Sequence, residues 1–135
     1  MNPPKERIYK KEYAYELMRI AGSDLAAGQA IFDARAGRSE NVAYFAEQVA
    51  EKCIKAVLCY RSIAFPAIHD LRQLLTYLPE IQAPPHSKEL QELTIFGTVR
   101  RYEEGPWMLT WEESEIALDA AKNVFKWAQD IVKPV

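Results

Sequence analysis

Apolar residues recur at three-to-four spacing through three long stretches of the chain, the pattern of helices that bury one face. The first stretch predicts a helix from Lys11 to about Ala36, with Tyr13, Leu17, Ile20/Ala21, Leu25, Gly28 and Ile31/Phe32 on one stripe. Gly22 and Gly28 each weaken a helix by up to about 1 kcal/mol relative to Ala. Their place inside the stripe points to close helix–helix contact. Gly37-Arg38-Ser39 reads as a turn, with Ser39 or Asn41 available to cap the next helix. That second helix, about Glu40 to Arg61, has the clearest pattern: Val42, Phe45/Ala46, Val49, Cys53, Ala56/Val57 and Tyr60. Its other face carries Glu47, Gln48, Glu51, Lys52 and Lys55, which by default is a solvated face.

Prolines bound the long stretches, because a proline inside a helix removes a donor and clashes with the preceding turn. None lies between Pro4 and Pro66, or between Pro106 and Pro134. Between Pro66 and Pro106 the elements are short. A third helix is expected from about His69 to Leu78, with Leu71, Leu74, Leu75 and Leu78 inward, and Pro79 to Pro85 is a loop. Ser87 can cap a fourth helix, about Lys88 to Thr98, through Leu90, Leu93 and Phe96. Val99 to Leu109 is a second loop. Thr110 and Glu113 then form a capping box. It opens a last helix to about Val132 through Ile116, Ala120, Val124, Trp127 and Ile131. No strand pattern competes. The fold class is all-α, an antiparallel bundle of three long and two short helices, as one domain over residues 1–135 with a flexible stretch at 1–10.

Composition fits that architecture: 135 residues, 49% hydrophobic, 27% charged, net charge −2. The length suits one domain and leaves little room for a cofactor domain beside a substrate domain. The chain is not basic in bulk, which excludes a general polyanion binder. Charge is uneven, however. Residues 1–72 hold eleven Lys/Arg against nine Asp/Glu, and residues 73–135 hold six against ten, so a local cationic face is compatible with the acidic total. Cys53 and Cys59, six apart on one helix, point to different faces and read as buried thiols of a reducing compartment. No segment has the apolar core of a signal peptide or the roughly 18 apolar residues of a membrane span. A soluble, cytoplasmic protein is expected.

Signatures of chemistry are few. The five glycines are scattered, so no phosphate loop exists, and no metal-ligand spacing is present. No metal and no cofactor is expected. The remaining candidates sit at element boundaries. His69-Asp70 opens the third helix, where Asp70 suits a cap and His69 can hold a loop carbonyl. Lys52 and Lys55 share a helix face. Arg100-Arg101-Tyr102 combines two guanidinium groups with an aromatic ring, which suits either phosphate-and-base contact or an interhelical ion-pair anchor with Tyr102 packed. Tyr9, Tyr13, Tyr44 and Trp111 are candidates for a dimer surface, with ordinary packing as the alternative.

These residues resemble a known family. The string Phe45-Ala46-Glu47-Gln48-Val49-Ala50-Glu51-Lys52-Cys53-Ile54-Lys55-Ala56-Val57-Leu58 is similar to the second-helix segment of HEPN domains, an aromatic residue followed by a run like AQQAAEKALKALL. Ala21-Gly22-Ser23-Asp24-Leu25 resembles the family's A-x-x-D-L, and Pro66-Ala67-Ile68-His69-Asp70-Leu71 its P-x-T-H-D-L. Val99-Arg100-Arg101-Tyr102 before the Thr110 helix is similar to its A-R-Y-P loop. The resemblance implies a five-helix domain, usually dimeric, that binds nucleotides or RNA. Such domains often work beside a separate minimal nucleotidyltransferase in a toxin–antitoxin-like pair. Some branches cleave RNA without metal through Arg-x(4–6)-His. Here Arg61 and His69 have seven residues between them, outside that window. The resemblance therefore implies first a nucleotide- or RNA-binding module, with Lys52, Lys55, His69, Asp70, Arg100, Arg101 and Tyr102 about one groove. A ribonuclease with an atypical Arg61/His69 pair and a purely structural, partner-binding bundle are the alternatives.

Overall fold

In the computed structural model, residues 5–94 and 109–133 are described, apart from the side chains of residues 81, 93 and 94. The order is β1 (Glu6–Arg7), α1 (Glu12–Ala34), α2 (Ser39–Tyr60), β2 (Phe65–Pro66), α3 (Leu71–Leu75), α4 (Ser87–Thr94) and α5 (Trp111–Ile131). One 3-10 turn, Glu80–Gln82, interrupts the proline loop. The fold is the five-helix, all-α bundle that the periodicity predicts.

Helix α2 lies at its centre. It packs along α1 and α5, and receives α3 and α4. Being covered on several sides, it buries both the stripe read from the sequence and residues off it, including Ala43, Ala50, Ile54 and Leu58. The approach of α1 to α2 is close where Gly28 stands: a Cβ there would lie 3.2 Å from Phe45 Cβ. At Gly22 the same atom would meet only the Phe125 ring, at 3.5 Å. The α1–α2 turn needs left-handed backbone at Gly37, φ 67°, which glycine adopts without a Cβ penalty. Arg35 also takes that conformation, its guanidinium lying 4.2 Å from the Phe32 ring centroid.

Several local expectations need correction. Neither Ser39 nor Asn41 caps α2. The cap position is Arg38, with no side-chain cap bond, and the Ser39 hydroxyl instead donates to the Leu109 carbonyl. Glu40, also buried, accepts from Leu109 N–H at 3.1 Å. Together these residues fasten the start of α2 to the chain that enters α5. Ser87 is the first residue of α4 rather than its cap, and its hydroxyl donates to the Pro84 carbonyl at 2.7 Å. Helix α3 is shorter than expected and continues to Leu78 as i→i+3 turns. By contrast, the Thr110–Glu113 capping box is present with both bonds at 3.0 Å.

The inward faces shift by about one residue at two places. Ala14 is buried on α1 while Tyr13 is 42% exposed. On α5, Ala117, Leu118, Ala121, Val124 and Ala128 are buried and Ile116 is 64% exposed. Small residues face α2 because its backbone comes close, and the larger apolar side chains are displaced to the rim.

The start of the chain pairs with the segment that precedes α3. Glu6 and Arg7 form a strand antiparallel to Phe65–Pro66. Tyr9 stacks on the buried Phe65 ring at 4.6 Å, and Tyr77 OH donates to Glu6 at 2.9 Å. Residues 6–9 thus lie against the segment at residues 65–77. A two-residue pair falls below any detectable alternation, which is why no strand pattern marks it.

Both thiols are free and buried. Burial pushes both up, Cys59 to about 11, which keeps them protonated and unreactive at neutral pH. Among the described residues, no helix is long and apolar enough to cross a membrane.

Candidate functional site

The polar face of α2 is not solvated. Residues three and four apart share a helix face, so Glu47, Glu51 and Lys55 line one row and Gln48 and Lys52 the next. Neighbouring elements cover both rows. Lys52 Nζ donates to Asp24 of α1 at 2.6 Å and to Gln48 at 3.2 Å. Lys55 Nζ stands 4.0 Å from Glu51, and burial lowers its pKa. Neither ammonium offers itself freely to a ligand, as the solvated reading of this face would require.

The segment leading into α3 closes over Glu51. Asp70 holds extended backbone, and its carboxylate accepts from Arg72 N–H at 2.8 Å and Gln73 N–H at 3.2 Å. Asp70 is thus the α3 cap, one of the two roles open to it. His69, just before it, points back to α2: its Nδ1 hydrogen-bonds Glu51 Oε1 at 2.8 Å. The imidazole holds a buried carboxylate and not a loop carbonyl. The side chain of His69 is 84% exposed while that of Glu51 is buried. A carboxylate can only accept, so Nδ1 carries the proton. In the neutral ring Nε2 is then an acceptor directed away from Glu51.

Glu47 completes the cluster. It is 3% exposed, and its Oε2 has no hydrogen-bond partner among the described residues. Burial, with the charges of Glu51 and Asp70 nearby, raises its pKa to about 7. The helix pattern marks Glu47 and Glu51 only as outward residues. Nothing in the sequence reports that later segments fold over them.

Arg61 ends α2 at its C-cap and is exposed. None of the described hydrogen bonds or ion pairs joins it to His69. Arg100, Arg101 and Tyr102 lie outside the described residues. Of the predicted groove, Lys55, His69 and Asp70 gather about Glu51 and Glu47 between α2 and α3, while Lys52 turns to Asp24 on α1. The two lysines are held by carboxylates and Asp70 by its cap, so His69 is the member that turns an uncommitted ring nitrogen to solvent. Among the described residues no group of three or more His, Cys, Asp or Glu is arranged to hold a metal ion.

The cation–aromatic sites lie elsewhere. Tyr44 meets Phe45 edge-on, with centroids 5.7 Å apart. Trp111 meets Phe32 at 6.5 Å, with the Arg35 guanidinium 5.1 Å from its centroid. Both rings are half-buried against these neighbours. Tyr13 remains exposed.

A compact all-α bundle with a buried polar seam along its second helix is the class these features define. The model of the HEPN domain family matches residues 14–131, and the chain belongs to that family. Two solved structures share the fold. The crystal structure of TT1696 from Thermus thermophilus aligns with TM-score 0.71 at 23% identity, over 87% of this chain and 96% of that one. That of ST0689, an archaeal HEPN homologue, aligns with TM-score 0.65 at 20% identity, over 93% of this chain and all of its own, 100%. No curated protein matches the sequence.

Proposed function

We propose that this HEPN domain is a nucleotide- or RNA-binding module that reads ribose through His69. The observation supporting it is the Glu51–His69 bond of 2.8 Å. That bond fixes the ring and leaves Nε2 as an exposed acceptor, suited to a ribose hydroxyl. Phosphate falls to arginine, whose planar fork matches its geometry: exposed Arg61, with Arg100 and Arg101. Tyr102 supplies a stacking face. Lys52 and Lys55 act within the fold, by neutralising Asp24 and Glu51. No cofactor enters this scheme. The module works as a homodimer in the cytoplasm, beside a separate minimal nucleotidyltransferase.

Binding of a fluorescein-labelled single-stranded RNA at several salt concentrations tests this reading. Arg61→Ala and Arg101→Ala should each weaken binding and reduce the magnitude of the salt slope by about 0.7 for each phosphate no longer neutralised. Unchanged affinity and slope in both would make the arginines structural.

The same bond supports a second reading, RNA cleavage. A fixed Nε2 acceptor can take the proton of a ribose 2′-OH as that oxygen attacks phosphorus and the P–O5′ bond breaks, the departing 5′-oxygen taking a proton from water. Incubation of RNA with wild type and His69→Ala in chelator decides it: cleavage abolished in His69→Ala supports the enzyme, and intact RNA with wild type excludes it.

A further inference from the structure

The exposed start of the chain carries a second cluster of cations and aromatic rings, separate from the His69 seam. A shallow pocket of about 430 Å³ is lined by Arg7, Ile8, Tyr9, Lys10 and Tyr13. The β1–β2 pair and the Tyr9–Phe65 stack hold its floor in place. Tyr9 is sandwiched, with Phe65 on one side and the Arg7 guanidinium 4.2 Å from its centroid. Tyr13 stands 5.7 Å from Tyr9 and is 42% exposed, and Ile8 is 63% exposed. The pocket therefore presents an open ring, an apolar side chain and two cations.

Charge favours an anionic occupant. Residues 5–13 carry Lys5, Arg7, Lys10 and Lys11 against Glu6 and Glu12. Glu6 is turned toward Tyr77, while its strand neighbour Arg7 lies over Tyr9. Lys11 is aimed elsewhere, over the Tyr60 ring at 4.3 Å. Arg7 and Lys10 are thus the cations of the pocket itself. A second copy docking the same patch face to face would bring these like charges together, which argues against a symmetric dimer here.

We propose that this pocket is a second nucleic-acid contact, taking one base of single-stranded RNA on the Tyr13 ring and the adjoining phosphate on Arg7 and Lys10. Stacking on an exposed aromatic beside cations is how single strands are held without sequence readout. The pocket extends the RNA reading of the preceding section and rests on it, but on different residues.

The test is anisotropy of a labelled single-stranded RNA with wild type, Tyr13→Ala, Tyr13→Phe, and Arg7→Ala with Lys10→Ala. Circular dichroism checks that each variant is folded. Tyr13→Ala should weaken binding about fivefold or more, and Tyr13→Phe should not. The double charge variant should weaken binding and reduce the salt slope by about 0.7, the single-strand value for the one phosphate no longer neutralised. Unchanged affinity and slope in these variants overturns the proposal, while weakening in Arg61→Ala or His69→Ala alone leaves the seam reading standing. Weakening in the Tyr13 and Arg7/Lys10 variants alone does the reverse. Equal competition by polyglutamate would make the pocket an acidic-protein surface and overturn it. So would a dimer broken by Tyr13→Ala with RNA affinity unchanged. A wild-type protein that binds no RNA overturns both readings.

Discussion

His69 Nδ1 and Glu51 Oε1 lie 2.8 Å apart across 18 residues of chain, joining an exposed ring to a buried carboxylate. The bond links sequence to function at one point. The central helix supplies an acceptor that water barely reaches, and the loop before α3 supplies the ring. Glu51→Gln keeps the shape but lets the side chain offer either a donor or an acceptor, so the tautomer is no longer fixed. We expect RNA affinity to fall about fivefold, equivalent to about 1 kcal/mol for one hydrogen bond. Titration of wild type and variant at one salt concentration checks this.

Glu47 gives a pH signature. Its pKa is raised to about 7 by burial and by Glu51 and Asp70, from 4.5 in the unfolded chain. Below about 4.5 it is protonated in both states and costs nothing. As pH rises to about 7 the unfolded chain ionises first, so stability falls across that window and stays reduced above it. Glu47→Gln should therefore stabilise the protein by about 3 kcal/mol at pH 8 and by little at about pH 4.5. Urea denaturation at the two pH values is the measurement.

Asp70 and His69 separate capping from ligand contact. Asp70 satisfies two backbone donors of α3, and its replacement by Ala should cost about 1 kcal/mol. His69→Ala removes a largely exposed ring but also the 2.8 Å partner of buried Glu51, and should cost no more than about 1 kcal/mol, because water can then reach the carboxylate. Denaturant midpoints of the two variants rank them. A larger effect in His69→Ala would make that residue chiefly structural.

The two helical glycines should respond with opposite sign. Gly28→Ala places a methyl 3.2 Å from Phe45 Cβ, an atom fixed to the α2 backbone. Overpacking should outweigh the gain in helix propensity and destabilise by about 1 kcal/mol. Gly22→Ala meets only the Phe125 ring at 3.5 Å and should stabilise by about 0.5–1 kcal/mol. Thermal melts of both variants check the pair.

The helices and the α5 cap were legible because periodicity and capping chemistry are local. So was close contact at Gly28, since a glycine inside an apolar stripe has few other reasons to be there. The burial of Glu47, Glu51, Lys52 and Lys55 was not. Their spacing matches a wet helix face, and only tertiary packing by Asp24 and the His69 segment covers them. The caps of α2 and α4 were misread for a related reason. Ser39 and Ser87 use their hydroxyls as donors to carbonyls, Leu109 and Pro84, rather than as acceptors from their own helices. A serine near a helix start looks the same in either role. Tyr13 and Ile116, apolar enough to enter the stripe, were displaced by neighbouring alanines because close helix approach favours small side chains.

The central claim is that His69, oriented by Glu51, contacts ribose. The most direct test compares the affinity of one sequence as single-stranded RNA and as single-stranded DNA, for wild type and for folded His69→Ala. Wild type should prefer RNA, and the variant should bind both equally, with its DNA affinity unchanged. Equal binding of RNA and DNA by wild type, or a preference that survives in His69→Ala, would contradict the account.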